Sequence, residues 1–307
     1  MLRPTKPLRL GTRASPLALA QAHLVRDTLC AAHDWPTGHI EICPVIASGD
    51  RILDRPLSEV GGKALWTKEL DHWLLSGDID FAVHSMKDVE TIRPPELSIA
   101  AMLPRGDVRD RLLGALSIAA LPVGAKVGTS APRRTAQLLA LRPDLKIVLF
   151  RGNVATRMDK LAAGAADATL LAAAGLDRLG LRGTGNAVPV DILLPAPQQG
   201  AIGIETLHNN WEVKTILAAI DHEETHLCVA SERAFLAALN ADCQSPVAAL
   251  AQIDRGQIHL RGEILSLDGR YREAGDLRFV AGDENAPRAL ALALLSAADP
   301  VLRACFR

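Results

Sequence analysis

Aromatic side chains are scarce in this sequence, with five Phe, four Trp and one Tyr among 307 residues. Ala and Leu dominate instead, so the core must be aliphatic. Charge of one sign is lacking too: 34 Lys and Arg oppose 35 Asp and Glu, for a formal net charge of −1. That balance argues against a chain that coats nucleic acid or acidic membranes through its global field, though it leaves room for a local basic cleft. The five cysteines (Cys30, Cys43, Cys228, Cys243 and Cys305) are odd in number and scattered, with no CxxC pair. Neither a disulfide framework nor a zinc ribbon fits, and a reducing compartment does. No apolar run approaches the roughly 20 residues of a membrane helix. "MLRPTKPLRLGT" enters a strand-like run without a signal-peptide core, so the expectation is a soluble, cytoplasmic protein. GxxxxGK[ST] is absent, as is GxGxxG after a strand, which disfavours a nucleotide.

What is present reads as an ordinary globular composition, 49% hydrophobic and 22% charged, long enough for two or three domains. Through residue 205, β-like runs alternate with helical stretches: "LRLGT", "IEICPVIA", "IDFAVHS", "AKVGTS", "KIVLFR" and "DATLLAAAG". This alternation predicts parallel sheets covered on both faces. "GTRASPLALAQ" (11–21) and "GTSAPRRTAQ" (128–137) echo each other, each with Gly-Thr, a polar residue and then Pro at a helix start. Two similar α/β domains are expected. After residue 205 the texture changes. A helical pattern over 222–240 suggests a core stripe of Leu227, Ala230, Ala234 and Ala238. Two strands around an Asp-Arg-Gly turn and a last amphipathic helix suggest a smaller α+β domain.

Among candidate sites, "HEETH" (222–226) matches a zinc-binding pattern. Arg233 falls on the same stripe and would oppose a dication, so chance is the better reading and no metal is expected. "IDFAVHSMKDVET" is more informative. An apolar strand delivers Ser85, Lys87 and Asp88 just past its carboxyl end, where ligands bind in open α/β sheets. Lys beside Asp can be a plain solvated pair, or a carboxylate held in a cleft to donate a proton or stabilise a cation. Arginines recur at equivalent places: Arg13, Arg133, Arg134, Arg151, Arg157 and Arg178 fall at strand ends and helix starts. Guanidinium forks there suit carboxylates or phosphates, which suggests a cleft for a polyanionic small molecule. Cys243 sits in the polar loop "LNADCQSPVA", where it could be decoration, a metal ligand, a nucleophile or an attachment point.

Taken in order these runs resemble the porphobilinogen deaminase (hydroxymethylbilane synthase) family over essentially the whole chain. The resemblance rests on "LRLGTRASPLALAQA", "GDRILDRPLSEVGGKALWTKELD", "DFAVHSMKDVET", "VGTSAPRRTAQL", "LRPDLKIVLFRGNVATRMDKL", "AAAGLDRLG" and "ASERAFLAALNADCQSPVA". It implies two periplasmic-binding-protein-like (type II) α/β domains plus a smaller C-terminal α+β domain. Residues 1–101 with 199–220 would form domain 1, 102–198 domain 2 and 221–307 domain 3. It implies a cytoplasmic, monomeric transferase that joins four porphobilinogen molecules onto a dipyrromethane cofactor and releases the linear tetrapyrrole with water. Cys243 would carry the cofactor by a thioether and Asp88 would be the catalytic carboxylate. Each pyrrole brings an acetate and a propionate. Arg13, Arg133, Arg134, Arg151, Arg157 and Arg178 would be their counter-charges, with Ser15, Lys87 and Ser130 as added donors. Lys63, in a Gly-rich stretch (56–64), Trp66 and Ser85 are candidate lid or cleft residues.

The chain departs from the family pattern in places. Asp242 stands where Gly or Ser is usual before the cysteine, and its charge would disfavour a thiolate and slow attachment. Trp66 replaces a common Phe, Ala131 a common Ser, and "PAPQQG" a common P-A-x-G-Q-G, which puts Gln198 at a usual glycine. The competing reading is a two-lobed anion-binding module without catalysis, which would have no use for a third domain with a loop cysteine.

Overall fold

The computed structural model describes residues 6–45 and 67–306, which fall into two compact units, Met1–Arg105 with Ala201–His226 and Gly106–Gly200 with Leu227–Arg307. In chain order come β1 (Leu8–Arg13), α1 (Pro16–His33), β2 (Ile40–Val45), α2 (Lys68–Ser76), β3 (Phe81–Ser85) and β4 (Leu97–Met102). The second unit follows with β5 (Asp110–Leu113), β6 (Lys126–Thr129), α3 (Pro132–Leu141), β7 (Lys146–Leu149) and α4 (Val154–Ala162). It continues through β8 (Ala168–Ala172), α5 (Ala173–Arg178) and β9 (Asn186–Ala187). The chain then returns to the first unit with β10 (Ile202–Leu207) and α6 (Trp211–Leu217). It ends with α7 (Glu223–Ala238), β11 (Val247–Asp254), β12 (Gln257–Leu265), β13 (Arg272–Val280), α8 (Asn285–Ala297) and α9 (Pro300–Ala304).

The first sheet has the order β2-β1-β3-β10-β4 and the second β7-β6-β8-β5-β9. In each, the first three strands are parallel and the fourth, β10 or β5, runs antiparallel to its neighbours. The sheets are therefore mixed, where the alternation of elements predicts parallel ones. Direction is invisible locally, because β5 and β10 sit where the chain passes between units and no crossover helix marks their sense. "DATLLAAAG" also divides sooner than its apolar run suggests: β8 ends at Ala172 and α5 begins at Ala173.

The Gly-Thr echo has a physical cause. A Cβ on Gly11 would strike Ile79 Cδ1, and one on Gly128 would strike the Phe150 ring. The following threonine is buried at each strand end. Thr12 donates to Ala18 O at 3.2 Å, and Thr129 Oγ1 accepts from Ala131 N at 3.2 Å. Proline then opens each helix with a pre-set φ. The caps differ: Ser15 Oγ accepts from Ala18 N at 3.3 Å, whereas Ala131 offers no side-chain acceptor.

The third sheet, β11-β12-β13, is antiparallel. Its first hairpin closes at Asp254↔Gln257 around Arg255 and Gly256, both with positive φ, as a two-residue type I′ turn requires. β13 completes the sheet beyond the two strands expected. α7 buries a face turned from the predicted stripe: Cys228, Val229, Glu232, Phe235 and Leu236 face inward, Leu227 and Ala238 of the stripe pack against the same core only part-buried, and Ala230 is exposed. Alanine is too small for its spacing to decide, and the large Phe235 and Leu236 set the face. Glu232 goes inward with them because its carboxylate accepts the backbone N–H groups of Gln198 (2.5 Å) and Ala251 (2.8 Å).

Ala131→Ser should supply the missing cap of α3. A gain of about 1 kcal/mol in urea-unfolding free energy is expected, and an unchanged midpoint would count against the capping account.

Candidate active site

In the first unit, β1 and β3 are parallel neighbours, so their carboxyl ends lie side by side. Arg13 ends β1, and β3 runs directly into a single 3-10 turn, Met86–Asp88. Arg13 Nη1 lies 3.8 Å from Asp88 Oδ2, and both side chains are part-exposed. The turn is fixed by Met86 N–H donating to Ala201 O (3.1 Å) and Val89 N–H donating to Met86 O (3.1 Å). Lys87 is half-buried beside Asp88. Ser85 meets buried Gln21, with its Oγ 2.9 Å from Gln21 Nε2. Ser15 serves as the cap of α1. Lys63 and Trp66 lie outside the described residues.

The opposite face of β3 carries a charge cluster. Glu205 on β10 is fully buried and receives Arg93 through both Nε and Nη2 at 2.9 Å, while His84 Nε2 stands 3.2 Å away. Arg93 also reaches Asp71 and Glu90, both at 2.5 Å, and Thr67 donates to Glu90 at 2.8 Å. Burial alone would push the Glu205 carboxyl up, but His84 and Arg93 overcome it and hold it at about 2. Burial pushes Asp71 up, and Arg93 offsets only part of that. Further along, the two histidines of "HEETH" are occupied locally. His222 Nδ1 accepts Thr225 N–H (3.2 Å), capping α7, and His226 Nδ1 lies 3.0 Å from Asp221 Oδ1.

In the second unit, Arg133 and Arg134 open α3 but are buried. Both close on Asp110 with 2.7 Å contacts, while Arg133 Nη1 also meets Gln137 and Leu194 O and Arg134 Nη1 meets Leu170 O. Burial would raise the Asp110 carboxyl, yet the two guanidiniums hold it far below the usual range. Arg157 Nη2 meets Ser130 Oγ at 3.4 Å, and its Nε donates to Gly152 O at 3.0 Å. Arg151 is buried at the end of β7. Arg178 donates to Gly200 O at 2.6 Å, and its burial, only partly countered by Asp177, lowers its pKa to about 10. The structure thus pairs Arg157 with Ser130, and turns Arg133 and Arg134 inward onto a carboxylate that sequence reasoning missed. The signal was present in "VRDRLL", where an Asp opening an apolar strand needs a cation.

Cys243 is exposed on the turn after α7. Asp242 Oδ1 accepts Gln244 N–H (2.9 Å), and Asp242 N–H donates to Ser245 Oγ (3.1 Å). The carboxylate closes the turn that presents the thiol.

The family profile described as "Porphobilinogen deaminase, dipyromethane cofactor binding domain" matches residues 8–215, and "Porphobilinogen deaminase, C-terminal domain" matches residues 226–295. The chain belongs to the porphobilinogen deaminase family. The porphobilinogen deaminase of Sphingopyxis alaskensis is 54% identical, over 99% of this chain and 98% of its own. That of Paracoccus denitrificans is 52% identical, over 87% and 86% respectively. Among solved structures, the Bordetella pertussis BvgS VFT2 domain (double mutant F375E/Q461E) matches 70% of this chain and 85% of its own, at 19% identity and a TM-score of 0.37. Family membership makes the chain an enzyme of tetrapyrrole biosynthesis with a dipyrromethane cofactor. The α/β class read from the sequence stands: two five-stranded mixed sheets with helices, and a smaller C-terminal part built on an antiparallel sheet. Residues of the second unit fit a carboxylate-bearing cofactor. Among the described residues, Arg178 is desolvated with Asp177 as its acidic neighbour, and Arg133 Nε and Arg111 Nη1 are buried N–H groups without a hydrogen-bond partner.

Two predictions follow from these charges. Glu205 titrates lower folded than unfolded, so its contribution to stability is full above its ordinary pKa of 4.5 and is lost as pH falls towards about 2. Glu205→Gln should flatten the acid limb of the unfolding free energy between those values; an unaltered limb would contradict the assignment. At the cysteine loop, Asp242→Asn keeps the Oδ1 acceptor and removes the charge, whereas Asp242→Gly removes both. Because the carboxylate also closes the turn, the expectation from charge alone is reversed for Gly: attachment of the cofactor to apo-protein, followed by intact mass, should be at least as fast as the parent with Asn and slower with Gly. Equal rates in all three would dismiss both the charge and the turn.

Proposed function

We propose that this chain condenses four porphobilinogen molecules stepwise on a dipyrromethane held by Cys243, with Asp88 as the catalytic carboxylate, and then releases hydroxymethylbilane with water. The observation that carries the reading is the placement of Asp88: part-exposed on the turn beyond β3, with Arg13 3.8 Å away. Loss of ammonia from porphobilinogen requires a proton on the leaving amine and leaves a cation. The Asp88 carboxyl donates the first in its protonated form, stabilises the second as the carboxylate, and then takes the proton that the attacking pyrrole must lose. Arg13 keeps that carboxylate oriented. Lys87 adds a donor beside it. When bound, the dipyrromethane would supply the free pyrrole carbon that the first unit joins, each later unit joining the ring added before it.

Arg13, Arg151, Arg157 and Arg178, with Ser130, hold the acetate and propionate groups of the growing chain. Arg133 and Arg134 act from behind them: two guanidiniums against one carboxylate leave a net positive charge. Ser15 acts through the start of α1 and Ser85 through Gln21. Cys243 is the attachment point, since its thiol is exposed on a turn that the carboxylate of Asp242 organises. The division into domains at 1–101 with 199–220, 102–198 and 221–307 is part of the same reading, as are a monomeric state and a cytoplasmic location. No helix among the described residues is long and apolar enough to cross a membrane.

Asp88→Ala should leave a folded protein with turnover reduced by about two to four orders of magnitude, the range a lost general acid–base group commands. Near-normal turnover would move the chemistry elsewhere. The intact mass of the parent should exceed the sequence mass by two pyrrole units, and Cys243→Ser should lack them. A parent that is active at the bare sequence mass would refute the attachment.

A further inference from the structure

We propose that Arg93 and Glu205 are positioning residues for Asp88, closing the loop that carries it onto one buried carboxylate. The inference rests on the assignment of Asp88 proposed above. Asp88 stands between two attachments to Glu205. Upstream on β3, His84 Nε2 lies 3.2 Å from Glu205 Oε2. Downstream, Arg93 donates to Oε1 from Nε and to Oε2 from Nη2, both at 2.9 Å. Between these points the backbone is held again where Met86 N–H meets Ala201 O, next to β10.

The same guanidinium gathers the carboxylates around it. Glu90, two residues past Asp88, and Asp71 on α2 each contact Arg93 at 2.5 Å. Three carboxylates share this cation, and removing it would set like charges against one another beneath the loop. A two-pronged Arg–carboxylate pair fixes angle as well as distance. Mutual stabilisation is a poor reason to keep such a pair, because desolvation costs about as much as attraction returns and apolar replacements are often neutral. Fixing one geometry is the better reason. The Asp88 carboxylate must meet successive reacting atoms, and misplacement by about 1 Å can cost a hundredfold in rate.

The test uses holoenzyme whose cofactor content is verified by intact mass. Arg93→Gln/Glu205→Gln removes both charges and retains hydrogen-bonding groups, so Glu205 is not left as a bare buried charge, although Asp71 and Glu90 still lose their cation. The expected result is a folded protein whose kcat is down about tenfold or more, with KM for porphobilinogen within about twofold. A double variant that folds with parental kcat overturns the proposal. Should it fail to fold, Arg93→Lys decides: it keeps the charge and loses the fork, and a fall in kcat at unchanged KM supports positioning while parental kcat overturns it. Asp88→Asn in the same assay separates the two readings. If that variant keeps turnover, the Asp88 assignment has failed. If it is inactive while the Arg93 variants keep parental kcat, only the present inference has failed.

Discussion

Asp110 is fully buried, and it can remain charged there only because two guanidiniums close on it. Arg133 and Arg134 come from the first turn of α3, Gln199 adds an Nε2–Oδ1 contact at 3.0 Å, and Asp110 itself opens β5. Through Gln137 the same network reaches Glu263 on β12 (2.6 Å), which in turn meets Arg272 on β13. Removing one partner of such a cluster typically costs about 3–5 kcal/mol, because it strands a buried charge. Within the second unit, the sheet bearing most of the arginines and the sheet following the cysteine loop are therefore joined by one polar network.

The first unit solves the same problem with the opposite stoichiometry. Glu205 lies on β10, the fourth strand of its sheet, as Asp110 lies on β5, the fourth strand of the other. Both are buried carboxylates held down in pKa by arginine. Around Asp110 two cations share one anion, which leaves positive charge in the unit that also carries Arg151, Arg157 and Arg178. Around Arg93 three anions share one cation, in the unit that carries Asp88.

Much of this architecture was legible beforehand. The Gly-Thr echo, the proline helix starts and the Asp-Arg-Gly hairpin each obey a local rule, so residues within a few positions of one another suffice to reveal them. That Asp88 lies just past the apolar strand β3 was legible for the same reason. The direction of β5 and β10 was hidden, because strand sense depends on chain far away in sequence. The inward turn of Arg133 and Arg134 was hidden too. Their partner lies more than twenty residues upstream, and a helix start reads alike whether it awaits a ligand or a buried Asp. On α7 the alanine spacing misled, since burial there is decided by Phe235 and by what Glu232 bonds to.

Gln198 shows how a departure from a family pattern is absorbed. Its φ of 66° lies in the left-handed region, where glycine is the undemanding choice. A non-glycine residue there costs of the order of 1 kcal/mol. Two groups on α7 offset that strain: Glu232 accepts the Gln198 backbone N–H at 2.5 Å, and Arg233 Nη1 donates to the Gln198 side-chain oxygen at 2.8 Å. A glycine could keep the first contact but not the second. The glutamine thus trades backbone ease for a side-chain bond to the helix that leads towards Cys243. The strand of chain at 195–200 is consequently fixed by α7 rather than left to the freedom of a glycine.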